Sequence, residues 1–125
     1  MKTLQGLDVY NLAESLSDMV WHIYDNWDYK AKHTIGLQII RSCDSIAANL
    51  AEGYDRFTTP DRKKFYLYSR GSFEETKCWL RKAVRRGLIN DAEKQKFTDI
   101  VNELGPKLNA FITKTTKESI VRKEI

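Results

Sequence analysis

The sequence is poor in residues that break helices. Two prolines, Pro60 and Pro106, and six glycines are spread over 125 residues, so few positions resist a helical backbone. Cysteine is scarce as well. Cys43 and Cys78 are too few to staple a chain of this size into a disulfide scaffold. With only His22 and His33 beside them, they give no ligand set at metal-binding spacing. No metal and no cofactor is expected, and two reduced thiols fit a reducing cytoplasm. No stretch approaches the ~18 apolar residues that a membrane span needs. The opening residues MKTLQGLDVYNLAESL hold neither a long apolar run nor a small-residue cleavage site, so neither an anchor nor a secretory leader is expected. Also missing are a glycine-rich phosphate loop, a nucleophile elbow, a HExxH pair and the Glu-x-x-His of di-iron bundles. No familiar catalytic constellation remains.

What is present is helical periodicity. The apolar fraction of 42% can fill one core, and the length suits one domain, about 100–150 residues. There is no internal repeat and no low-complexity segment. A first helix is predicted from Leu7 to Trp27, with Tyr10, Ala13, Leu16, Val20, Ile23, Tyr24 and Trp27 on its apolar side. A second is predicted from His33 to Tyr54, on Ile35, Ile39, Cys43, Ile46 and Leu50. A third follows from Pro60 to about Arg86, capped by Thr59, with Pro60 at the first position, where its missing N–H costs little. Its core face is read as Phe65, Tyr68, Ser72, Thr76, Trp79 and Ala83, and Gly87 is its stop signal. A fourth starts at Asn90, which with Glu93 has capping-box spacing. Its apolar period crosses Pro106, where a kink is expected rather than a break. Residues from about 117 to 125 are expected to fray. Four long amphipathic helices with short connections predict an all-α, antiparallel up-down four-helix bundle forming a single domain over 1–125.

The formal net charge is +4, but it is unevenly placed. Residues 1–34 carry three basic and five acidic side chains, and residues 35–55 carry one and three. Residues 56–87 carry ten basic and three acidic, a net +7, and residues 88–125 carry seven and six. On a wheel of ~100° per residue, Lys63, Arg70, Lys77, Arg81 and Arg85 fall within about 80°. Such a stripe can track phosphates in RNA or DNA, dock an acidic protein, or simply be a solvated face beside acidic neighbours. No base-reading motif accompanies it.

Two further lines stand out. Tyr66, Phe73, Leu80 and Val84 form a second apolar line on the third helix, displaced from Phe65. Two adjacent apolar stripes predict either a wide core face or burial against another subunit, and the oligomer is the favoured expectation. On the second helix, Gln38, Arg41, Ser45, Asn49 and Glu52 form a polar line. Its small residues would let another helix come close, with Gly71-Ser72 as the counterpart. A buried Arg41 would need a partner such as Glu75. An enzyme reading would make Glu52 or Glu75 its acid/base, but nothing around them supports catalysis, and no catalytic residue is expected.

The segment Gln38-Ile39-Ile40-Arg41-Ser42-Cys43-Asp44-Ser45-Ile46-Ala47-Ala48-Asn49-Leu50-Ala51-Glu52-Gly53 resembles the signature of the four-helix bundle family also called the 23S rRNA intervening-sequence proteins, or the S23 ribosomal protein family. Leu7-Asp8-Val9-Tyr10-Asn11-Leu12-Ala13 resembles its opening motif, and Phe65 through Thr76 its third-helix motif. The likeness extends to about Ile112. Ile40 and Ser69 depart from it, where the family often has arginine and alanine; the first departure removes a charge and neither disturbs the fold. The resemblance implies a bundle that assembles as a ring-shaped homopentamer. Some members are encoded within insertions in ribosomal RNA genes. Related bundles serve retroelements as basic accessory proteins that bind nucleic acid and a reverse transcriptase. It brings no catalytic residue. The expectation is a non-enzymatic oligomer that binds RNA or another nucleic acid through its third helix, or else an adaptor that docks an acidic protein.

Overall fold

The structure, a computed structural model, describes residues 2–124, with side chains described as far as Lys117. A short 3₁₀ turn, Leu4–Gly6, leads into α1, Asp8–Tyr24. Helix α2 occupies residues 29–54 in three joined pieces: Tyr29–Ala31, a π-type stretch Lys32–Gly36, and Leu37–Tyr54. Helix α3 is Thr59–Arg85 and α4 is Asp91–Glu124. The predicted elements are all found. Helix α2 begins four residues earlier than the sequence suggests, because the Asp28 carboxylate accepts the Ala31 N–H at 2.8 Å and caps it. The cap of α3 is Thr58 rather than Thr59, its hydroxyl accepting from the Asp61 N–H at 3.3 Å. Pro60 therefore sits one position further inside the first turn, where its lack of an N–H is still harmless.

The other signals act as expected. Asn90 and Glu93 close a capping box: the Asn90 N–H donates to Glu93 Oε1 at 3.0 Å, and the Glu93 N–H donates to Asn90 Oδ1 at 2.8 Å. Gly87 takes φ +72°, a conformation that costs glycine nothing. The Leu88 N–H then reaches the Ala83 carbonyl and the Gly87 N–H the Val84 carbonyl, at 2.9 and 3.1 Å, the double bond of a Schellman turn. Helix α4 continues through Pro106. The side chains beyond Lys117, where fraying is expected, lie outside the described ones.

Contacts between helices run in reverse order along the chain, which fixes the antiparallel sense. Between α2 and α3, Gly53 meets Tyr66, Ile46 meets Ser69, and Ser42 meets Thr76. Between α1 and α2, Ser17 meets Cys43 and Tyr24 meets Gly36. Between α3 and α4, the rings of Tyr66 and Phe111 lie 4.7 Å apart, and Phe73 lies against Gly105. The ring of helices closes from α1 to α4. Trp27 Nε1 donates to the Leu88 carbonyl at 2.9 Å, and Lys107 stands 3.8 Å from Asp8. The result is an up-down four-helix bundle.

Its core corrects the reading of α3. The buried positions there are Tyr66, Ser69, Phe73, Thr76, Leu80 and Ala83, a 3-4-3-4 seam of the coiled-coil kind. Tyr66, Phe73 and Leu80 are 2%, 3% and 7% exposed within their own chain. They are bundle core and not the free surface a second subunit would need. Val84, the fourth residue of that line, is half-buried at the α3–α4 seam. Phe65, Ser72 and Trp79 are only half-buried, and Tyr68 is 50% exposed. Thr76 and Ala83 lie in the seam as expected, but its other members fall one residue later than apolar counting suggests, because a buried serine, Ser69, carries the seam between Tyr66 and Phe73. Ser69 Oγ donates to the Ile46 carbonyl at 2.7 Å, and Thr76 Oγ1 lies 2.9 Å from Ser42 Oγ. Satisfied in this way, small polar side chains can be buried cheaply, and they let α2 and α3 approach closely. Gly53 completes that approach: a Cβ there would stand 2.7 Å from the Tyr66 ring.

Candidate functional site

A long depression lies between the second half of α3 and the first half of α4. It encloses about 380 Å³. From α3 it is lined by Lys77, Leu80, Arg81, Val84 and Arg85; Ile89 comes from the connection; Lys94, Phe97, Thr98, Val101 and Asn102 come from α4. Four cations stand around it, and no carboxylate lines it. The floor is carbon: Leu80, Ile89 and Phe97 are buried, and Val84 and Val101 are half-buried.

Local sequence explains the arrangement. Lys77, Arg81 and Arg85 repeat every four residues, so they climb one side of α3. Lys77 is half-buried; its ammonium lies 2.9 Å from Glu74 and 5.1 Å from the centre of the Phe73 ring, so part of its charge is already answered. Arg81 and Arg85 are exposed. Lys94 faces them one turn into α4, placed there by the capping box that starts the helix. Of the five predicted stripe residues, three thus converge on the groove. Arg70 is exposed about 10 Å further up α3 from Lys77, and Lys63 is half-buried two turns beyond that; neither lines the groove. Lys94, Thr98 and Asn102 escaped the sequence reading. The apolar period of the fourth helix was visible, but a wheel drawn for one helix does not say which cations of the next will meet it.

The polar line of α2 does not face another helix. Gln38, Arg41 and Glu52 are exposed, and Ser45 and Asn49 are half-buried. Ser45 Oγ donates to the Arg41 carbonyl at 2.7 Å, and Asn49 Nδ2 donates to the Ser45 carbonyl at 2.8 Å. Glu52 pairs with Arg56, and Glu75 accepts from Trp79 Nε1 at 3.1 Å. Arg41 is solvated and needs no buried partner, and Gly71 looks into open space. Ser72 is half-buried on α3. The residues that carry the close α2–α3 approach are Ser42, Ser69, Thr76 and Gly53. Glu52 and Glu75, the two candidate acid/base groups, are therefore each engaged with a residue four positions further along the chain, and neither lines the α3–α4 depression or that between α1 and α2.

A second depression, of about 420 Å³, lies between α1 and α2 and is lined by Glu14, Ser17, Asp18, Trp21 and Asp44. It carries acids where the other carries cations. Among the described residues no group of three or more His, Cys, Asp or Glu side chains is placed to hold a metal ion. Both thiols are free. Burial pushes the Cys43 thiol up to about 12, against the opposing pull of the Ser17 hydrogen bond. No helix among the described residues is long and apolar enough to cross a membrane.

Fold and site together define a small helical bundle with a cation-rimmed groove. Its sequence matches the family profile of the 23S rRNA-intervening sequence proteins over residues 5–110, and the chain belongs to that family. It is similar to a protein of unknown function from the S23 ribosomal protein family of Bacteroides thetaiotaomicron, whose crystal structure superposes with a TM-score of 0.76 at 20% identity, over 83% of this chain and 97% of that one. That likeness concerns the fold. Among curated proteins none matches the chain.

Proposed function

We propose that this chain is a non-catalytic, oligomeric bundle that binds RNA or another nucleic acid through the α3–α4 groove, with Arg70 and Lys63 extending the phosphate track along α3. The observation that carries the reading is the sorting of charge: four cations line this depression without a carboxylate, while the α1–α2 depression holds three acids and no cation. A polyanion meets attraction on one side of the bundle and repulsion on the other. The membership itself supports an association with ribosomal RNA genes.

The assembly proposed is the homopentamer that the resemblance implies. Trp21, Phe57 and Tyr68, which are 56%, 99% and 50% exposed, supply apolar surface for it. The compartment proposed is a reducing cytoplasm, in keeping with two free thiols.

The test is a titration of RNA binding against salt. Binding should be measurable at ~50 mM salt and weaken steadily as salt rises. Reversing Arg70, Lys77 and Arg81 together should abolish it while the helical signal and melting temperature hold. Absent binding at low salt, or binding indifferent to salt, contradicts the reading. A protein partner captured from lysate and retained after nuclease treatment would favour an acidic protein at the same cations. Light scattering that gives a monomer at micromolar concentration would rule out the pentamer.

A further inference from the structure

From the floor of the groove we infer that it takes single-stranded nucleic acid with a base unstacked into it, in preference to a duplex. This rests on the reading of the groove as a nucleic-acid surface and adds the strand class to it.

A phosphate track needs only cations at the right spacing. Here the cations rim a recess whose floor is carbon, with Val84 and Val101 half-buried and the Phe97 ring beneath them. A duplex presents phosphates and sugars, its most hydrated parts, and would leave that floor without an apolar partner. A splayed base covers the half-buried Val84 and Val101 and removes its own face from water, which only a strand with unpaired bases can offer. The volume of about 380 Å³ falls within the ~300–1,000 Å³ of small-molecule sites, so one base and its sugar can enter.

The groove also carries the means to meet a base edge. Thr98 and Asn102 lie one turn apart on α4, on its groove side. The Thr98 hydroxyl donates to the Lys94 carbonyl at 2.8 Å, which leaves its oxygen as an acceptor. Asn102 offers an N–H₂ donor and a carbonyl acceptor, neither of which makes a hydrogen bond among the described residues. The flanking phosphates then lie toward Arg81 and Arg85 on one wall and Lys94 on the other.

The experiment compares four probes by fluorescence anisotropy or competition: a short single-stranded RNA, the same strand annealed to its complement, the same strand with abasic positions, and inorganic polyphosphate. The intact single strand should bind about tenfold more tightly than the duplex or the abasic strand, the scale of covering a small apolar patch. Val101→Ala and Asn102→Ala should weaken the intact single strand and leave polyphosphate binding unchanged. Equal binding of duplex, abasic and intact strands overturns the inference and leaves the nucleic-acid reading standing. Failure of all four probes to bind overturns both.

Discussion

The two sides of α3 follow the same spacing and end in opposite ways. Toward α2 the seam is closed: Ser69, Thr76 and Gly53 remove bulk, and hydroxyls bond across to Ile46 and Ser42. Toward α4 the first half is also closed, with Tyr66 against Phe111 and Phe73 against Gly105. Past Lys77 a groove lies between the two helices, lined by Leu80, Val84 and Val101 and rimmed by Arg81, Arg85 and Lys94. The lesson is that a seam shuts where each side chain meets a complementary partner, a carbonyl for Ser69, a hydroxyl for Thr76, a glycine for Tyr66 and for Phe73, and keeps a recess where charged side chains rim aliphatic ones. Stability belongs to the shut side and binding to the open one, so changes to the two should separate.

The largest expected effect is on the shut side. Phe73→Ala should cost about 3–5 kcal/mol, the range for a buried aromatic. Tyr68→Ala, at the face the apolar pattern favours, should cost the fold of the single subunit no more than about 0.5 kcal/mol. Urea denaturation of the pair reads the difference directly, and equal costs would put the core of α3 where the sequence alone suggests. Next comes Gly53→Ala, which forces the Tyr66 ring to move and should cost about 1–3 kcal/mol as an overpacked seam. A melting temperature unchanged from wild type would show the seam to be looser than described. Arg81→Gln with Arg85→Gln, on the open side, should shift stability by less than about 0.5 kcal/mol.

Much of this was legible in the sequence. The helices, the capping box at Asn90, the Gly87 stop and the core face of α2 follow from local chemistry, and the resemblance to the family rests on residues that form that face. The core face of α3 was legible only at Thr76 and Ala83; Tyr66, Phe73 and Leu80 read as a separate line because Ser69, which joins them to the seam, reads as polar until the Ile46 carbonyl that satisfies it is placed opposite. The groove was not legible. Lys77, Arg81 and Arg85 announce a basic side of one helix, but their meeting with Lys94 and the floor at Val101 depends on how two helices lie together. The α2 polar line misled for a related reason: Ser45 and Asn49 bond back to their own helix, which a wheel cannot distinguish from reaching toward another.

A smaller effect comes from Cys43, the thiol buried where α1 meets α2. Burial holds its folded value near 12, against an ordinary value of 9.0 for an exposed thiol. The raised value favours the protonated, folded form. Its contribution to stability is therefore whole below about pH 9 and is lost as pH rises from there toward 12. The stability of wild type relative to Cys43→Ala should fall over that range, read from urea midpoints at successive pH values. A constant difference would contradict the burial. At neutral pH a maleimide should modify half-exposed Cys78 well before Cys43.

The central claim is that the open side of α3 holds phosphates. The most direct test is the slope of log affinity against log salt for single-stranded RNA, in wild type and in the Arg81→Gln, Arg85→Gln variant. Each lost phosphate contact should flatten the slope by about 0.7, so the account predicts a slope shallower by about 1.4. Lys114→Gln, an exposed charge on α4 outside the groove, should leave it as it was. A slope identical in wild type and in the double variant would contradict the claim.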